Sequence, residues 1–225
     1  MTSHQLPLMI PARMAYDEAS FLADASNEKA RVWLQRTEVW PDRRLALWGG
    51  SGRGKTHLLR IWLGRHGAEL MDGPALAGFP GIASRGGVAV DDADQADEAA
   101  LLHLLNTARD LERPVLLASR LPPARWDVAL RDLASRLRAI TAVEVEAPDD
   151  DLLRRLLLRW LTGRGLVADA SLHDRLLLRL PRSPEQVLRA VERLDEAATV
   201  SRRREVSAAM VRAALADEAP DAPPS

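Results

Sequence analysis

The chain has 225 residues, 47% of them apolar, and a formal net charge of −1. That is enough for one sizeable core and a small second domain, and it argues against a chain built mainly to grip nucleic acid through a basic surface. With no cysteine, a disulfide framework and thiolate metal ligands are excluded, which suits a cytoplasmic protein. Residues 1–11 lack the basic start and apolar run of a secretory signal. No stretch of about 18 uninterrupted apolar residues offers a membrane span.

In chain order, residues 1–11 read as an extended tail, with Pro7 and Pro11 discouraging helix. A helix is expected near 27–37, a strand at 44–48, a helix at 55–65 and a second strand at 69–71. The Gly-, Ala- and Pro-rich stretch 72–87 reads as a loop or short helix. A buried strand follows at 88–91, an amphipathic helix at 97–111 and an apolar strand at 114–119. A helix at 131–138 and a last strand at 142–145 complete this part. Strands alternating with helices predict an α/β fold with a parallel five-stranded sheet and helices on both faces. After Pro148 the pattern changes to four helices, at 149–163, 171–180, 184–198 and 207–216. The expected organisation is a tail at 1–12, a nucleotide-binding α/β domain at 13–148, a helical lid domain at 149–216 and a disordered acidic, Pro-rich tail at 217–225.

Gly49-Gly50-Ser51-Gly52-Arg53-Gly54-Lys55-Thr56 matches the phosphate-binding pattern G-x-x-x-x-G-K-[ST] between an expected strand and helix. Its glycines let the backbone turn its N–H groups inward, and the following helix N-terminus completes an anion cradle. Lys55 would reach the outer phosphates, and the Thr56 hydroxyl would hold Mg²⁺. The chain has two lysines, Lys29 and Lys55, among 31 basic residues. A compact ammonium therefore stands at the phosphate position in a chain that otherwise uses arginine. Asp91 and Asp92 end the strand 88–91. Asp91 would hold Mg²⁺ through water, and Asp92 would orient the attacking water or merely cap the loop.

The five histidines are scattered without metal spacing. The tryptophans read as packing residues, and Arg202-Arg203-Arg204 as a solvated turn.

These motifs resemble the AAA+ ATPases, and among them the bacterial replication initiator family, DnaA. Gly54-Lys55-Thr56-His57-Leu58-Leu59 has the initiator's form of the loop. The segment 21–27, with Phe21, Leu22 and Asn27, resembles the initiator's F-V-x-G-x-S-N beside the adenine, with Asp24 in place of glycine. Residues 117–123 resemble its sensor 1 region, T-S-D-R-P-P. Residues 133–137 resemble the S-R-F/L motif that carries the arginine finger, here Arg136, and 143–149 resemble the start of the lid. The resemblance covers about residues 20–216 and implies ADP or ATP with Mg²⁺ as ligand. The family's sensor 2 arginine falls on Glu185, so that either Arg182, one turn away, substitutes for it or the γ-phosphate contact is gone. That departure implies weak or no ATP hydrolysis by this chain itself.

Two devices of the initiator are not expected. No helix-turn-helix domain follows residue 215, and only 16 residues separate Met71 from Val88, where the family carries a long helical insertion. DNA contact is therefore expected to be indirect or weak. Gln5-Leu6-Pro7-Leu8-Met9 resembles the peptide by which proteins dock on the DNA polymerase III sliding clamp. The combination resembles the Hda (HdaA) family of DnaA-like regulators. It implies a negative regulator that docks on the clamp and stimulates ATP hydrolysis by DnaA through Arg136, with self-association possible. A DNA-stimulated ATPase of helicase-loader type is the alternative.

Overall fold

The computed structural model describes residues 21–79 and 81–216. The expected clamp-docking residues Gln5–Met9 and the acidic tail lie outside them. Five strands, β1 (Arg44–Trp48), β2 (Glu69–Asp72), β3 (Val88–Asp91), β4 (Val115–Ser119) and β5 (Thr141–Glu144), form one parallel sheet in the order β2-β3-β4-β1-β5. The three inner strands are buried along nearly their whole length, which is why they read as continuous apolar runs.

Alternation along each strand assigns its side chains to two separate cores. Leu45, Leu47, Leu116 and Ala118 pack with α1 (Ala25–Leu34) and α2 (Lys55–His66) on one face. Ala46, Val88, Val90, Val115 and Leu117 pack with α3 (Glu98–Asp110) and α4 (Arg131–Ala139) on the other. Beyond the sheet, α5 (Asp150–Gly163), α6 (Ala170–Arg179), α7 (Pro184–Ser201) and α8 (Ala208–Ala216) close a third core of their own.

Three boundaries differ from the sequence reading in an informative way. The first helix runs from Ala25 to Leu34, not 27–37, because Asp24 caps it. Asp24 accepts from the Ser26 amide at 3.0 Å while Asn27 accepts from the Asp24 amide at 3.1 Å, a reciprocal capping pair. Residues 35–43, where no element was expected beyond that helix, carry two 3₁₀ turns, Thr37–Val39 and Pro41–Arg43. These turns seat Trp40 against Trp62, with ring centroids 5.4 Å apart. Finally, α7 continues to Ser201, past the last buried residue Ala198, until Arg202 adopts a left-handed conformation and ends it.

Candidate nucleotide site

All five strands run the same way, so their C-terminal ends share one edge, where ligands of open α/β sheets bind. β1 delivers Gly49 to that edge. The Gly49 amide donates to the Ser119 carbonyl of β4 at 3.2 Å, and Val145 donates to the Trp48 carbonyl at 2.8 Å. The loop 49–54 is thus pinned between its neighbours at its first residue. Two glycines in it have steric reasons. A Cβ at Gly49 would lie 2.5 Å from the Val145 carbonyl oxygen. Gly52 has φ +70°, and a Cβ there would lie 2.0 Å from the Ser183 hydroxyl, which comes from the turn before α7. The helical domain therefore sits directly on the loop.

A cavity of about 400 Å³ lies between loop, sheet edge and helical domain. Its polar end is formed by Ser51 to His57 with Asp91, Asp92 and Arg120. Its apolar wall is Phe21 and Leu22 on one side and Leu152, Leu156, Trp160 and Leu188 on the other.

Lys55 is buried, 8% exposed, and its ammonium donates to the Gly49 and Gly50 carbonyls at 2.8 and 2.9 Å. Burial pushes its pKa down. Asp91, Asp92 and Asp94 pull it up, and Arg120 adds to the lowering. The Thr56 hydroxyl donates to Asp91 Oδ2 at 2.7 Å, which places two hard oxygen donors side by side, one in the first turn of α2 and one at the end of β3. Asp92 takes a left-handed backbone, φ 45°, which aspartate tolerates, and lines the same end of the cavity.

Phe21 meets His57 edge-on with centroids 5.0 Å apart, so the segment before α1 closes over the start of α2. Asn27 is buried and spends its amide on the Leu22 carbonyl at 3.1 Å. It lines the cavity while holding Leu22 in place.

Arg53 lines the cavity, yet its guanidinium turns towards β5, where it donates to Glu144 Oε1 and the Val145 carbonyl, both at 3.2 Å. Arg182, expected at the cofactor, does not line the cavity. It pairs with Asp150 at the start of α5, the acidic first turn of a helix that draws a cation away. Glu185, where the resemblance puts a lid arginine, does line the cavity and is itself tied to Arg189 one turn on.

Arg136 is outside the cavity. It lies partly buried on α4, close enough to affect buried Arg44 at the start of β1, at the opposite end of the strand from the loop. Burial, then Arg136, push the Arg44 pKa down. Among the described residues Arg136 has no hydrogen-bond or ion-pair partner.

Sequence reading missed Arg120 and the apolar wall of the helical domain. The signal for Arg120 was present, since it stands in the segment 117–123 where the initiator pattern has aspartate.

A glycine-rich loop opening a helix N-terminus, a buried ammonium and an apolar slot together match a ligand with a polyanionic end and a flat apolar end. The Thr56–Asp91 pair fits a divalent cation that keeps much of its water. Among the described residues no cluster of three histidine, aspartate or glutamate metal ligands exists. Nor is any helix among them long and apolar enough to cross a membrane.

Asp24, the residue that departs from the initiator pattern, ties the two parts together. Its side chain is 8% exposed and accepts from Arg155 of α5 at 2.8 Å. Burial opposes its ionisation, but the Ser26 amide and hydroxyl and the Arg155 guanidinium outweigh it and hold the carboxyl below its usual range. A lowered folded pKa contributes stability at pH values above the unfolded value, about 3.9, that is lost as pH falls through the folded one. Asp24→Asn keeps a good cap and removes the charge. Its thermal midpoint should fall by about 2 °C at neutral pH, in line with a partly exposed ion pair of about 0.5–1 kcal/mol. The gap should close towards pH 3. A gap of equal size at both pH values would mean that the tie depends on shape and not on charge.

No protein-family model matches the sequence, and no curated protein matches it. Solved structures do match in fold. Domain III of the replication initiation protein DnaA from Thermotoga maritima superposes with a TM-score of 0.75 at 17% identity, over 92% of this chain and 98% of that one. AMPPCP-bound DnaA from Aquifex aeolicus gives 0.62 at 18% identity, over 81% of this chain and 64% of that one. The Thermotoga maritima RuvB Holliday junction branch migration motor gives 0.68 at 16% identity, over 90% and 72%. The chain has the AAA+ fold: a parallel five-stranded α/β sheet with a helical lid, shared with DnaA and RuvB.

Proposed function

We propose that this chain binds an adenine nucleotide with Mg²⁺ at the loop 49–56 and acts on a second AAA+ protein, a replication initiator of the DnaA type, by presenting Arg136 to that protein's nucleotide. The observation that carries this reading is the division of labour among its cations. Lys55 is buried under the loop, whereas Arg136 is remote from this chain's own cavity, partly exposed and unpartnered among the described residues. An arginine held free at the far end of the strands is suited to a site in trans, where a positive charge meets the charge developing on a transferring phosphoryl group. Glu185 at the lid position supports the same reading, because an acid facing the cavity does not favour hydrolysis in cis. The resemblance of Gln5–Met9 to a clamp-docking peptide supplies the second half of the proposal, recruitment to DNA-loaded sliding clamp. The result is a negative regulator that leaves the initiator in its ADP form.

The test is the hydrolysis of ATP bound to DnaA, followed with this protein added, with and without clamp loaded on DNA. Acceleration that needs the clamp and falls at least about tenfold in Gln5→Ala is the expected result. Acceleration independent of the clamp would remove the docking half of the proposal. No acceleration, together with turnover by this chain alone that rises with single-stranded DNA, would instead establish a loader-type ATPase, a reading favoured by the intact Thr56–Asp91 pair.

A further inference from the structure

The short helix that carries Arg136 is not held at its start by its own side chains. Leu130 stands at the cap position of α4, and its side chain cannot accept a hydrogen bond. The two amides that lead into the helix are taken instead by a carboxylate from another element. The Ala129 amide donates to Glu98 Oε1 at 3.0 Å and the Leu130 amide to Glu98 Oε2 at 2.8 Å. Glu98 is the first residue of α3, and Asp97 beside it caps that helix by accepting from the Ala100 amide at 2.9 Å. Two adjacent acids therefore fix the starts of both helices on this face of the sheet.

The buried residues of α4 are Leu133 and Leu137, which enter the core shared with Leu101, Leu104 and Leu105 of α3. Apolar burial is non-directional and decides which side of the helix faces inward. Charge-assisted bonds to both oxygens of one carboxylate are directional and decide where the helix begins. Arg136 lies about 9 Å along the axis from Leu130, and a rigid helix carries any shift of its start that far. Among the described residues Arg136 has no hydrogen-bond or ion-pair partner. Its guanidinium therefore takes its place from the α4 backbone and from the repulsion of Arg44.

We propose that Glu98 is a positioning residue for the reaction in trans: by tying the start of α4 to the start of α3, it sets how far Arg136 reaches towards the partner's nucleotide. This rests on the reading of Arg136 given above. A finger acts by the placement of its charge, and misplacement by about 1 Å can cost about 100-fold in rate. Glu98 does not line this chain's own cavity, so its effect on the reaction passes through α4.

The test compares the full chain with Glu98→Gln and Glu98→Ala, each titrated into ATP-bound DnaA with clamp loaded on DNA, well below every variant's unfolding midpoint. An amide keeps one of the two acceptors and alanine keeps neither. The plateau rate of hydrolysis should fall about threefold in Glu98→Gln and at least about tenfold in Glu98→Ala. The concentration that gives half the plateau should change less than about twofold, and nucleotide binding by this chain should not change. Glu98→Gln is nearly isosteric and keeps the test open if Glu98→Ala does not fold. A lower unfolding midpoint with the plateau intact would make Glu98 a stabilising cap only and overturn the proposal. A raised half-plateau concentration with the plateau intact would also overturn it, by making residues 127–130 a docking surface. Absence of acceleration by the parent chain would overturn the trans reading itself, and this proposal with it.

Discussion

Lys55→Ala is expected to abolish nucleotide binding and leave the chain folded. Lys55 is 8% exposed and its ammonium is held by two loop carbonyls, with three carboxylates sustaining its charge against burial. Removing it has opposed effects on stability. The loop carbonyls lose a donor, at about 1–3 kcal/mol. The cost of keeping a charge out of water disappears at the same time. The unfolding midpoint should therefore shift by only a few degrees, about 2–4 °C per kcal/mol for a chain of this size. Affinity has no such compensation. A polyphosphate in the cradle meets loop amides and one compact cation, and loss of that cation should weaken binding by at least about 100-fold, or about 2.7 kcal/mol. Titration with a fluorescent adenine nucleotide gives the answer. Lys55→Arg should fail nearly as completely, because a planar fork does not fit where three rotatable donors reach past two carbonyls. A loss of less than about threefold in Lys55→Ala would make the lysine a structural strut.

Arg136→Ala should behave in the opposite way. Nucleotide binding by this chain should be unchanged, since Arg136 does not line the cavity. Stability should change little, and in the favourable direction, because removing one of two neighbouring guanidinium groups relieves the buried Arg44, which keeps its bond to the Leu105 carbonyl at 2.9 Å. Stimulation of hydrolysis on the initiator should fall about 10³-fold, the scale of a finger that stabilises developing charge. Arg136→Lys should rescue little, as a point charge lacks the fork. If Arg136→Ala lost nucleotide binding together with Lys55→Ala, the arginine would be supporting the fold.

Much of this architecture was legible because parallel strands buried on both faces leave a strong imprint. Arg44–Trp48 and Val88–Asp91 were delimited as they occur, since the apolar runs Leu45–Trp48 and Val88–Val90 stop at a glycine pair and at an aspartate pair. The loop 49–54 was legible as the turn from β1 into α2 because its backbone needs glycines at named spacings. Other features depend on chain segments far apart in sequence. Trp160 and Leu188 reach one cavity from two helices, and nothing in their own neighbourhoods distinguishes them from core residues. Arg182 was assigned by proximity to a motif, but the acidic first turn of α5 competes for it. Asp24 looked like a departure from a pattern. Its pairing with Asn27 was a readable cap, whereas its partner Arg155, 131 residues away, was not.

The contact of Ser183 on Gly52 and the pair Asp24–Arg155 fasten the roof of the cavity at two separated points. A rigid-body lift of the helical part away from the loop would part both contacts together, so loosening either one loosens the whole roof.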